Sequence, residues 1–106
     1  MKYSALDIPP DTLMGINDYV LRGIPPGGFL EAVLEDRLVE SFNRADIRNT
    51  EAMPHIVWYM YEIVPIQCRG SREAVSAWLS KGGLTEEPES LKFVEERMKR
   101  AMQVEP

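Results

Sequence analysis

The stretch Gly23–Leu34, GIPPGGFLEAVL, sets two prolines and a glycine pair directly ahead of an apolar segment. It reads either as a loop that grips a phosphate or as a corner between two helices. A P-loop, G-x-x-x-x-G-K-[ST], needs a lysine to reach the phosphates and a hydroxyl to bind magnesium. Gly23 and Gly28 have the glycine spacing, but Phe29 and Leu30 stand where the lysine and the hydroxyl belong. No strand pattern precedes the stretch, and the G-x-G-x-x-G fingerprint is absent. The corner reading follows. Gly23 stops one helix in the left-handed position beyond its last turn, and Pro25 and Pro26 stiffen the bend. Gly27 and Gly28 let the chain enter the next helix, and Phe29 and Leu30 anchor it in the core. The backbone N–H groups of Gly27 and Gly28 are the one remaining anion-binding feature here.

Working outward, Pro9 and Pro10 suit the start of a helix, because the first turn does not use the N–H that proline lacks. Leu13, Ile16, Val20 and Leu21 line one face of a helix over Pro10–Arg22. Beyond the corner, Phe29, Leu30, Val33 and Leu34 make a buried stripe, and Leu38, Val39 and Phe42 continue an apolar face. Asp36 is a candidate cap between them, so this region is one bent helix or two short ones. A further helix opens near Asn49 or Thr50, with Pro54 tolerated if it falls in the first turn. Met53, Ile56, Val57, Met60, Tyr61 and Val64 recur at helical spacing as its core stripe, which leaves Trp58 and Tyr59 off it. Ser71 caps a short helix whose Val75, Trp78 and Leu79 face inward, and Lys81–Gly83 closes it. The last helix runs from about Pro88 to Met102, with acids at its start and Lys99 and Arg100 near its end, as the macrodipole prefers. Leu91, Val94, Met98 and Met102 are its stripe. The chain is predicted to be all-α: a compact bundle of five to six short helices joined by Pro/Gly turns, forming one domain over residues 1–106.

At 106 residues the chain can bury only a thin core, so a partner or a homodimer contact suits it. No apolar run is long enough for a membrane span, and the N-terminus lacks the apolar region of a secretion signal. A cytoplasmic location is expected. The formal net charge is −5. Nine acids and four arginines between residues 7 and 51 give that segment a local charge of −5 by itself, whereas Arg69, Arg72 and Lys81 outnumber Glu73 further on. Acidic surface repels the phosphate backbone, which disfavours direct nucleic-acid binding and favours a basic partner.

Chemistry-bearing clusters are sparse. His55 is the one histidine and Cys68 the one cysteine. His55 with Glu51, four residues earlier, makes a surface pair and falls short of a metal set. Cys68 reads as a small, partly buried thiol. No G-x-S-x-G elbow or nucleophile–base motif is present, and the acid pairs Glu31/Glu35 and Glu86/Glu87 sit among solvated charges. No enzyme activity, metal or cofactor is expected. The candidate partner-binding residues are the off-stripe aromatics Trp58 and Tyr59, the polar cluster Arg44, Asp46 and Asn49, and the acids Glu35 and Asp36. The polar cluster has two readings: a hydrogen-bonded tie between helices, which is the favoured one, or a surface site.

The pattern G-[IL]-x-P-G-x-F-L-x-A-V-L (Gly23–Leu34), R-A-D-x-x-N (Arg44–Asn49), I-V-x-x-x-Y-x-x-x-P (Ile56–Pro65) and G-S-x-E-x-V-x-x-W (Gly70–Trp78) resembles small proteins encoded by tailed bacteriophages and prophages. The resemblance spans about residues 12–83 and implies a phage origin without implying a reaction. Residues 84–106 lie outside it, as an addition with scope for a partner of its own. On this basis the expected function is that of a non-enzymatic, phage-encoded accessory protein. It would bind and inhibit or modulate a host protein, such as a basic nucleic-acid-binding defence complex, in an anti-CRISPR-like manner. Two alternatives stand beside it: a nucleic-acid-associated replication or transcription factor using Arg69, Arg72 and Lys81, and an oligomeric small-ligand-binding protein.

Overall fold

A computed structural model describes residues 2–103. Six α-helices follow one another: α1 (Pro10–Arg22), α2 (Gly28–Leu34), α3 (Leu38–Arg44), α4 (Ile47–Glu62), α5 (Arg72–Lys81) and α6 (Pro88–Ala101). Single 3₁₀ turns at Ala5–Asp7 and Ile66–Cys68 precede α1 and α5, and no strand occurs among the described residues. The chain is all-α, and its principal extents of 36 × 35 × 19 Å make it a flattened bundle.

The corner at Gly23 is built as its residues require. Gly23 takes φ 68°, and its N–H donates to the Tyr19 carbonyl at 2.9 Å, closing α1. The carbonyls at this end of α1 also accept from α5 and the loop after it. Trp78 Nε1 donates to the Tyr19 and Val20 carbonyls at 3.1 Å each, and the Leu84 N–H donates to that of Leu21 at 3.0 Å. Buried carbonyls without donors would be costly. The join depends on two glycines facing each other: a Cβ on Gly83 (φ 70°) would lie 2.5 Å from the Gly23 nitrogen.

Between α2 and α3 the chain makes two helices rather than one bent one. Asp36 adopts φ 65°, a left-handed conformation that aspartate tolerates better than most residues. It therefore ends α2 rather than capping α3, whose cap position belongs to Arg37 with no side-chain bond. Further on, the Asp46 carboxylate accepts from the Asn49 N–H at 2.8 Å. That N-cap starts α4 two to three residues earlier than the spacing predicted, and Pro54 consequently falls well inside the helix. Ser71 caps α5 by accepting from the Ala74 N–H at 3.1 Å, as expected.

The core draws Ile16, Tyr19 and Val20 from α1, Leu30 and Leu34 from α2, Ile56, Tyr59 and Met60 from α4, and Val75 and Trp78 from α5. Val94 and Met98 join it, so α6 packs on its own domain, while Met102 is exposed. The buried face of α4 is turned relative to the predicted one. Ala52, Met53, Ile56, Tyr59 and Met60 face inward, whereas Val57 and Tyr61 face solvent. Both arrangements satisfy helical periodicity. The observed one lets the Tyr59 hydroxyl donate to Asn17 Oδ1 at 2.6 Å on α1. Tyr19 likewise donates to the Cys68 carbonyl at 2.7 Å.

Candidate functional site

Helix α3 packs on α2, and its side-chain bonds are local. Its one buried residue is Ser41, whose hydroxyl donates back to the Arg37 carbonyl at 2.7 Å. On its charged flank Arg37 pairs with Glu35 at 3.0 Å, and Arg44 Nε donates to Glu40 at 2.7 Å. That bond from Arg44 holds the Glu40 carboxyl below the usual carboxylate range. The apolar stripe of α3 is left without an intramolecular cover: Leu38 is 65% exposed, Val39 82% and Phe42 45%.

Across from this stripe α4 shows Val57 and Tyr61, the latter 74% exposed. Together the two helices form an open groove of about 600 Å³, lined by Leu38, Phe42, Met53, Pro54, Trp58 and Tyr61 among others. Tyr3 is a further lining residue, contributed by the N-terminal segment. His55 fixes that segment: its Nδ1 accepts from the Ser4 N–H at 3.1 Å, and the Tyr3 ring meets the imidazole edge-on at 5.6 Å between centroids. His55 is thus engaged with the N-terminal segment, with Asp7 at 3.9 Å as its nearby acid. No group of three or more His, Cys, Asp or Glu positioned for a metal occurs among the described residues.

The residues singled out from the sequence divide by burial. Trp58 is half-buried and lines the groove. Tyr59 is fully buried, which corrects its reading as an exposed aromatic; burial also drives its hydroxyl pKa well above the ordinary range. Tyr61, expected in the core, is the exposed aromatic instead. Glu35 is buried beside Arg37 and presents no acidic surface, whereas Asp36 is exposed in its turn. Arg44, Asp46 and Asn49 do not converge on one surface site. Arg44 braces α3 through Glu40, Asp46 caps α4, and Asn49 Oδ1 accepts from the Thr12 hydroxyl at 2.7 Å, tying α4 to α1. This favours the helix-tie reading for Asn49, whereas Arg44 and Asp46 act within their own helices.

Gly28 opens a helix of seven residues with the Arg44 side chain laid over it, and no further group converges there to hold an anion. Cys68 is completely buried, more than its sequence suggested; its Sγ donates to the Pro65 carbonyl at 3.0 Å, and burial pushes the thiol up to about 12. A thiol so placed stays protonated and is a poor nucleophile.

The groove residues missed as a site are Leu38, Phe42, Val57 and Tyr61. Each reads as core by type and spacing, and the signal available was the shortness of α3. A seven-residue helix flanked by charges cannot bury an apolar stripe by itself.

No helix among the described residues is long and apolar enough to cross a membrane. Compared with models of protein families, with curated proteins and with solved structures, the chain matches none.

Proposed function

We propose that this chain is a non-catalytic interaction protein that docks a partner protein on the groove between α3 and α4. The carrying observation is the exposed apolar pair Leu38 and Phe42 facing Val57 and Tyr61 across the groove, with Val39 exposed on the same helix. Single apolar residues at a surface are ordinary, whereas a contiguous set marks an interaction face. Burying one large apolar side chain contributes roughly 1.5–3 kcal/mol, so the four half-exposed ones in the groove contribute on the order of 3–7 kcal/mol before association costs. That is enough to anchor a complex and too little to define one alone, so polar contacts at the rim set its specificity.

Electrostatics favours a basic partner. Glu62 lines the groove, Glu51 lies on the flanking side of α4, and neither has an ion-pair partner among the described residues. The resemblance to phage-encoded proteins supplies the setting. In this reading the chain is a phage accessory factor, and its partner is a host protein carrying basic surface, such as a nucleic-acid-binding defence complex that it inhibits.

The test compares wild-type protein with a Leu38→Glu/Val57→Glu variant. Both positions are exposed, so folding should be unaffected within about 0.5 kcal/mol. Each is immobilised and challenged with bacterial host lysate, and retained proteins are identified by mass spectrometry. The expected result is a basic protein retained by the wild type and weakened about thirtyfold or more by the variant, as for loss of hot-spot contacts. Equal retention by the two proteins, or a groove filled by a second copy of the chain in light scattering, refutes the proposal.

A further inference from the structure

A second cleft, sharing only Tyr61 with the groove, runs between the Ile66–Cys68 turn, α5 and α6. Its volume of about 760 Å³ is in the range of small-molecule sites. Ile66 and Phe93 line it and are 72% and 65% exposed, so it has apolar walls open to solvent.

Three cations line this cleft. Lys81 is ion-paired with Glu87 and lies over the Trp78 ring, 4.5 Å from its centroid. Arg97 donates to the Glu62 carbonyl at the end of α4. Arg69 lies over the Tyr61 ring, 5.7 Å from its centroid, and its Nε is buried with no hydrogen-bond partner, the one such side-chain atom among the described residues. Neither arginine has a carboxylate partner among those residues. With Lys81 and Glu87 neutralising each other, the remaining charged lining residues are Arg69, Arg97 and Glu89, a local charge of +1. An unmet buried donor is costly and rare in native proteins. Here it belongs to the cation best suited to gripping a planar oxyanion, whose fork offers several donors at once.

We propose that this cleft binds a small organic anion. Its oxyanion, a carboxylate or a phosphate ester, is held by Arg69 and Arg97, and its aromatic or apolar body lies against Tyr61, Ile66 and Phe93. The modest local charge suits a ligand with one such group and opposes a polyanion.

The test uses phenylacetate, phenyl phosphate and adenosine monophosphate as probes, with inorganic phosphate and benzyl alcohol as controls. The readout is the side-chain Nε–H signal of Arg69 and Arg97 in nitrogen-15 correlation spectra, assigned with Arg69→Gln and Arg97→Gln. At least one aromatic anion should shift both signals saturably, and each substitution should weaken binding about tenfold or more. Phe93→Ser should weaken the aromatic anions and leave inorganic phosphate unaffected. The carboxylate and phosphate arms identify which oxyanion is preferred. Val57→Glu, outside this cleft, should bind as wild type does. The proposal is overturned if millimolar probes shift neither signal, if inorganic phosphate binds as tightly as the aromatic anions, or if Arg97→Gln binds like wild type. Should Arg69→Gln fail to fold, the wild-type Arg69 signal and Arg97→Gln still decide.

Discussion

Replacing Gly83 with alanine, against Gly82→Ala as its control, tests how α1 and α5 are joined. Both glycines have positive φ, 70° and 83°. Each alanine therefore suffers the left-handed penalty, about 1–2 kcal/mol. The space around them differs. At Gly82 an added Cβ meets only Thr85 Oγ1, at 3.5 Å. At Gly83 it would lie 2.5 Å from the Gly23 nitrogen, 2.8 Å from the Arg22 nitrogen and 2.9 Å from the Arg22 carbonyl carbon. All three are backbone atoms that no rotamer change can move. Relief requires parting the two helix ends, which strains the Leu84 to Leu21 and Trp78 to Tyr19 and Val20 hydrogen bonds. Such overpacking adds roughly 1–3 kcal/mol, so Gly83→Ala should cost about 2–5 kcal/mol and Gly82→Ala about 1–2. Urea unfolding followed by circular dichroism at constant m-value measures both. Thermal midpoints should differ by at least about 4 °C, with Gly83→Ala the lower. Equal costs, or a milder Gly83→Ala, would refute the claim that the join is set by backbone contact.

Asn49→Ala should destabilise by about 1–3 kcal/mol because the buried Thr12 hydroxyl loses its acceptor, and Thr12→Val with Asn49→Leu should cost less than the two single changes summed. Asp46→Ala should lose about 0.5–2 kcal/mol with its N-cap and leave partner retention unchanged, a retention assay being the check. Pro54→Ala restores an N–H inside α4 and should raise stability by about 1–3 kcal/mol; a weaker partner complex in the same variant would show that the proline serves the groove. Alkali should unfold the protein early. Cys68 has its pKa raised to about 12 in the fold, and burial also raises Tyr19 and Tyr59. The folded state thus holds protons that the unfolded chain releases. The stability from Cys68 is complete below the ordinary thiol range and lost as pH climbs toward 12, by at most about 1.4 kcal/mol per pH unit. Stability measured from neutral pH to pH 11 should fall, and Cys68→Ala should flatten that fall.

The groove was half legible in the sequence. Leu38, Val39 and Phe42 were recognised as one apolar face, yet a face shows no sign of whether anything covers it. Helical spacing places Val57 and Tyr61 in the core stripe and leaves Trp58 and Tyr59 off it, whereas the fold buries Tyr59 and exposes Val57 and Tyr61. The polar set Arg44, Asp46 and Asn49 stood out by residue type, although its work proved mainly local: an ion pair within a helix, a cap, and one tie to Thr12.

Residue order alone determined what depends on a few neighbouring residues. The limits of α1, the left-handed stop at Gly23, the Ser71 cap and the all-α character follow from proline, glycine and hydroxyl chemistry acting within one turn. Tertiary structure decided what depends on residues distant in the chain. Helix α4 carries apolar side chains around more than half its circumference, and the face that turns inward is the one whose Tyr59 hydroxyl donates to Asn17 on α1. In the same way α3 keeps its stripe in water: its Ser41 bond and its Arg44–Glu40 pair close on the helix itself, Arg37 reaches back to Glu35, and no distant segment covers Leu38 and Val39. Periodicity sets which side chains share a face, and only the packing of distant segments sets which face is buried.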